Sequence, residues 1–128
     1  MTETISYSAT SEKLLNLTPL ISNLGKSIEL DNPISNEHAY LRKSIIPSLL
    51  INASRNTHYW KKPIRLFETG SVFYMDQSKI IEKTMISGIL AGTRNELNWN
   101  QEEGLVDYFD IKGIVEFILK KLNIKHQM

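Results

Sequence analysis

The side chains able to do chemistry are scattered along this sequence, and their spacing decides what they can do. His38, His58 and His126 stand too far apart for an H-x-x-x-H ligand pair, so no zinc site is expected on them. Cysteine is absent, which excludes disulfides and thiolate metal sites and permits a reducing compartment. Glu96, Glu102, Glu103, Asp107 and Asp110 gather around one polar stretch, and carboxylate oxygens are the donors magnesium takes. The plainer reading leaves Glu102 and Glu103 solvated and uses Asp107 as a helix cap. The segment "RNTHYWKKPIR" (55–65) sets Arg55, Tyr59, Trp60, Lys61 and Lys62 close together. Aromatic rings beside cations can stack bases and neutralise phosphates, which makes this the candidate nucleic-acid contact. A solvated loop is the ordinary alternative, because Pro63 marks a turn. There is no Gly-rich phosphate loop and no local Ser-His-Asp motif.

The elements that would position these groups follow from periodicity. Residues 3–9, "ETISYSA", alternate as a strand does. Thr10 or Ser11 can cap a short helix through "SEKLLNL", and Pro19 and Gly25 punctuate the loop behind it. "SIEL" (27–30) is a short strand candidate that Pro33 must stop. Ser44 is the expected N-cap of a helix to about Asn56, with Pro47 in the first turn, where its missing N–H costs nothing. Ile45, Ile46, Leu49, Leu50 and Ala53 share one face of that helix.

Residues 64–76, "IRLFETGSVFYMD", read as a long strand rich in aromatic and β-branched residues. Gly70 at its middle predicts a bulge or the close approach of another backbone. "KTMISGILAG" (83–92) has the composition of a buried strand, and "TRNELNWNQEEG" (93–104) is a long polar loop. Asp107 then caps a helix to about Leu122, with Tyr108, Ile111, Val115, Ile118, Leu119 and Leu122 on one face. Asp110 near its start and Lys120 and Lys121 near its end suit the helix dipole. Two long adjacent strands with no helix between them favour an antiparallel pair and an α+β class.

Composition narrows the function classes. The 128 residues are the size of one domain, 41% hydrophobic and 23% charged, which fits a globular class. A net charge of +1 exerts no global pull on nucleic acid or anionic membrane. No apolar run approaches the roughly 20 residues of a membrane helix, and the first ten residues lack the basic and apolar regions of a signal peptide.

Four segments in order resemble one known family. "LDNPISNEHAYLRKSIIPSLL" (30–50), "IRLFETGSVF" (64–73), "ISGILAG" (86–92) with a lone Trp99, and "VDYFDIKGIVEFIL" (106–119) are similar to the bacterial-type beta subunit of phenylalanyl-tRNA synthetase. The opening "ETISYSA" resembles the strand that begins the same module. The resemblance implies a class II aminoacyl-tRNA synthetase-like antiparallel sheet flanked by helices. It implies a single partial domain over 1–128, incomplete at its C-terminal end because the family's module continues further, which would leave a sheet edge unpaired. The implied role is a non-catalytic, cytoplasmic module that packs against the alpha subunit and supports ATP-dependent charging of tRNA with phenylalanine. ATP and magnesium would then belong to the whole enzyme, bound mainly on alpha, with no cofactor, metal or membrane on this chain. The family's beta-subunit metal ligands lie in a preceding module. An isolated chain is expected to self-associate where surfaces are left bare.

The resemblance also fixes what to ask of residues 64–76. In class II synthetases such a strand carries an arginine that holds the α-phosphate of ATP, and the catalytic alpha subunit resembles "GRVYR" followed by an acid. Here the matching letters are "GSVFY" with Asp76 beyond, so the arginine position is Tyr74. A phenol supplies neither the permanent charge nor the rigid fork of donors. Arg65 is nine positions upstream, roughly 30 Å along a continuous strand. Arg42, in "YLRKS", resembles the arginine of an alpha-subunit "LLRTH" segment and is the candidate structural anchor, paired with Glu68 or Asp76.

Overall fold

The computed structural model describes residues 1–18, 24–59, 63–95 and 104–124. In chain order the elements are β1 (Thr2–Glu3), β2 (Ala9–Thr10), α1 (Glu12–Leu15), a 3-10 turn (Asn36–His38), β3 (Tyr40–Leu41), α2 (Ile46–Tyr59), β4 (Ile64–Asp76), β5 (Lys79–Ala91) and α3 (Tyr108–Lys121). The class is α+β, as the order of periodicities predicts.

β4 and β5 form the frame. They pair antiparallel without a break from Ile64↔Ala91 to Asp76↔Lys79. β1 adds a short parallel strand on the other edge of β4, Thr2 opposite Leu66, giving the order β1-β4-β5. β2 and β3 form a second, two-stranded antiparallel sheet. α2 lies across one face of β4 and β5. Ile45, Leu49 and Val72 are the centre of the core, with Leu66, Met85 and Ile89 packed around them. Burying each such side chain contributes about 1.5–3 kcal/mol, so a core this small is a modest source of stability.

Several local expectations change. Residues 3–9 are not one strand. Thr4 N–H still bonds Phe67 O at 2.8 Å, but Ser6 turns to the Glu68 side chain and only Ala9–Thr10 pair again. Residues 27–30 form no strand either; single bridges join Lys26 to Met75 and Glu29 to Tyr40. Ser44 lies just before the first turn of α2, and its hydroxyl accepts from Ile46 N–H at 3.1 Å. The apolar face of α2 divides: Ile45, Leu49 and Ala53 are buried, whereas Ile46 and Leu50 are 40% and 39% exposed. Gly70 makes no bulge, since it sits in register opposite Met85. What approaches it is a side chain, the Arg42 guanidinium, rather than a backbone. β5 starts earlier than expected and holds no buried residue, because β5 is an edge strand and one face of the sheet is open.

α3 begins at its predicted cap. Asp107 accepts from Phe109 and Asp110 N–H, and Asp110 accepts in return from Asp107 N–H, a full capping box. Yet no residue of α3 is buried, and Tyr108, Val115 and Leu122 of the predicted stripe are exposed. Among the described residues, no helix is long and apolar enough to cross a membrane.

Candidate functional site

The strand that raises the question of catalysis is organised by a charge buried behind it. Arg42 follows β3, and its backbone ties two segments together: its N–H bonds Ser8 O at 2.9 Å, and its O accepts from Phe73 N–H at 2.8 Å. The side chain then runs under β4. Its Nε donates to Ser71 O at 3.0 Å and its Nη1 to Glu68 Oε1 at 2.6 Å. Glu68 also accepts from Ser6 N–H at 3.2 Å and Ser6 Oγ at 2.7 Å. Arg42 and Glu68 are 4% and 2% exposed. Alternation puts Glu68 and Gly70 on the same face of β4. A Cβ on Gly70 would run into Arg42 Nη2, so glycine here keeps a lane open for the guanidinium.

Of the two carboxylates considered for Arg42, Glu68 is therefore the partner. Asp76 is exposed at the far end of β4, in register with Lys79. Beside this pair is Lys43, which sequence reasoning passed over. It is buried, and its Nζ donates to Gly25 O at 3.1 Å. A lysine in "YLRKS" reads as solvated until the fold brings the Gly25 loop over it.

Tyr74 is half-buried on the same face of β4 as Glu68 and Gly70. Lys26 clamps the neighbouring backbone from both sides, with N–H to Met75 O at 3.0 Å and O from Met75 N–H at 2.9 Å. Gly25, at φ +82°, lies against the Tyr74 ring; a Cβ there would stand 2.5 Å from the Met75 carbonyl oxygen. Lys83, diagonal to Tyr74 on β5, holds its Nζ 5.6 Å from the ring centroid. A hydrogen bond with Tyr74 raises the Lys83 ammonium above the ordinary lysine range, and the Asp76 charge adds to this. A cation thus stands beside Tyr74, but it is an exposed point charge on a flexible stem, not a fork. Arg65 lies on the opposite face of β4, nine residues away along an unbroken ladder.

The acidic cluster has a different use. Arg94 donates through Nε to both oxygens of Asp110 at 3.0 Å, and through Nη2 to Asp107 Oδ2 at 2.7 Å. The Asp107 backbone N–H, and then Arg94, lower the Asp110 carboxyl below its ordinary value. Arg94, missed in the sequence because nothing marks it in a polar loop, pins the start of α3 to the end of β5. Arg94 N–H to Gly104 O at 2.7 Å and Val106 N–H to Gly92 O at 3.0 Å close the same junction. Glu96, Trp99, Glu102 and Glu103 lie outside the described residues. Among the described residues no group of three His, Cys, Asp or Glu could hold a metal ion. His38 bonds Ser35 Oγ through Nδ1 at 3.0 Å and meets the edge of Tyr7. His126 and the His58 side chain are outside the described set.

The basic segment 55–65 is only partly visible. Tyr59 ends α2, but its side chain and the whole of Trp60, Lys61 and Lys62 fall outside the described residues. Arg55 is exposed on α2 and lines a groove of about 660 Å³ bounded by the segment around Tyr7, by α1 and by α2.

Residues 1–128 match the family model for the phenylalanyl tRNA synthetase beta chain CLM domain. The phenylalanine–tRNA ligase beta subunit of Listeria monocytogenes serotype 4b (strain F2365) is 35% identical over 130 residues, all of this chain and 16% of that protein. That of Bacillus subtilis (strain 168) is 34% identical over 126 residues, 97% of this chain and 15% of that protein. The chain thus spans about a sixth of the length of these curated relatives. Among solved structures, a pyrrolysyl-tRNA synthetase from Desulfitobacterium hafniense superposes with a TM-score of 0.66 at 18% identity, covering 98% of this chain and 42% of that one. At that identity the likeness is one of fold, a class II synthetase fold.

Proposed function

Since the chain belongs to the family of the phenylalanyl-tRNA synthetase beta chain CLM domain, we propose that it is a non-catalytic module of a phenylalanine–tRNA ligase beta subunit, packing against the alpha subunit. The observation that carries this reading is uncovered surface. Among the described residues, Ile46 and Leu50 on α2 are 40% and 39% exposed, and Phe109 and Phe117 on α3 are 72% and 60% exposed. Large apolar side chains left open on two helices are the kind of surface a partner covers.

The chemistry of β4 fits a silent role. The strand persists, but Tyr74 occupies the position where the catalytic counterpart needs a permanent, forked cation. In this reading ATP, phenylalanine and magnesium are held on alpha. The beta module shapes and supports that site during tRNA charging in the cytoplasm. The buried Arg42–Glu68 pair keeps β4 in place without taking part in chemistry.

The test is co-expression with the alpha subunit from the same genome, followed by light scattering on a sizing column. A stable complex is expected. Ile46→Asp with Leu50→Asp should weaken it at least tenfold while leaving the α2–β4 core intact. Failure of the unmodified chain to join alpha would remove the proposal.

A further inference from the structure

α3 has two unlike faces. Ile111, Ile114 and Ile118 recur at three and four residues and are half-buried, so this face meets the rest of the chain. Phe109, Gly113 and Phe117 recur at four residues on the opposite side, and all three are exposed, the phenylalanines by 72% and 60%. Gly113 is the odd residue of the three. Glycine inside a helix costs about 1 kcal/mol against alanine, yet a Cβ at Gly113 would find no heavy atom within 4 Å. Nothing described in the chain needs a glycine there. A glycine between two exposed aromatic side chains on one ridge does suit a second helix crossing at that point, because the side chains at the contact set how near two helix axes come.

The charges say which helix. At the start of α3 two carboxylates, Asp107 and Asp110, face one guanidinium, Arg94, which leaves one negative charge over. At its end stand Lys120 and Lys121, neither with a carboxylate partner among the described residues. Lys120 is seven positions after Gly113, on the same face. Glu116, beside that face, is already paired with Lys112 at 3.7 Å. We propose that α3 pairs with α3 of a second copy of this chain, the two helices antiparallel and crossing at Gly113 on a two-fold axis. Phe109 of each copy then meets Phe117 of the other, and Lys120 of each approaches the Asp107–Asp110 end of the other, with the helix dipoles opposed. The same patch serves on both sides, as a closed two-fold dimer requires. Four phenylalanine side chains bury on the order of 500 Å², the low end for a specific contact, so the dimer is a weak one. Ile46 and Leu50 on α2 stay open to the alpha subunit, so the pairing stands or falls independently of the proposed function.

Sedimentation equilibrium of the chain by itself, over a dilution series, reads the dimer. The unmodified chain is expected to pass from 14.7 kDa to twice that mass as concentration rises. Gly113→Leu puts a good helix former where no atom stands in its way. It should therefore melt no lower than the unmodified chain in dilute solution and still weaken the dimer about tenfold or more. Phe117→Asp should abolish the dimer. Lys120→Glu with Lys121→Glu should weaken it and remove most of its salt dependence. Because the chain has no cysteine, Gly113→Cys should oxidise to a disulfide-linked dimer, whereas Ile80→Cys, exposed on β5, should not. Far-ultraviolet dichroism confirms that each variant is folded. A chain that stays monomeric at every concentration overturns the inference. A dimer that survives both Gly113→Leu and Phe117→Asp is made by another face and overturns it equally. If those variants lose the alpha subunit and keep the dimer, the α3 face belongs to alpha and the inference is again overturned.

Discussion

Arg42 and Glu68 show what a buried charge costs and what it fixes. Removing either leaves the other desolvated and unpaired, a loss of about 3–5 kcal/mol. Arg42→Ala or Glu68→Gln should therefore lower stability by that order in urea denaturation. Arg42→Met with Glu68→Leu, which removes both charges and keeps apolar volume, should cost clearly less than the two single losses together. Arg42 could be named from the sequence because "YLRKS" resembles an alpha-subunit "LLRTH" segment, with Glu68 or Asp76 as its possible partner. The choice of Glu68 over Asp76 could not. It depends on where residues 40–44 cross β4, and no local pattern encodes a crossing point. The same is true of Lys43, whose partner is a carbonyl 18 positions earlier.

Among the elements, the β4–β5 hairpin and α3 were the most legible. Their signals are local: aromatic and β-branched content in one, an Asp107 cap and helical spacing in the other. The turn between the strands was not. Gln77 and Ser78 both take positive φ, 43° and 66°, the geometry of a tight turn that matches strand twist and favours Asn-Gly. Neither residue advertises that conformation. Gln77→Asn with Ser78→Gly should raise stability by about 1–2 kcal/mol, since side chains other than Gly, Asn and Asp pay roughly that to enter the left-handed region. The start of α3 should respond to acid. Asp110 has a folded-state value below its ordinary one, first through the Asp107 N–H and then through Arg94. Its contribution is present above the unfolded value near 3.9 and fades as pH falls through the folded value. Below about pH 4, the stability difference between the unmodified chain and Asp110→Asn should therefore shrink, as followed by helical dichroism.

At the scale of the whole molecule, periodicity identified amphipathic faces but not what lies against them. The α2 stripe was read as one face and divides into a buried half, Ile45, Leu49 and Ala53, and an exposed half, Ile46 and Leu50. The α3 stripe is half-buried at Ile111, Ile118 and Leu119 and exposed at Tyr108, Val115 and Leu122. In the proposed reading, Tyr74 stands at the arginine position, and the apolar side chains exposed on α2 and α3 are covered by another subunit. In this reading the ATP site on β4 is silent. The most direct measurement is calorimetric titration of the chain with ATP and magnesium, beside the Tyr74→Arg variant. No binding by the unmodified chain is the predicted result; heat of binding at micromolar ATP would mean that Tyr74 does not silence the site.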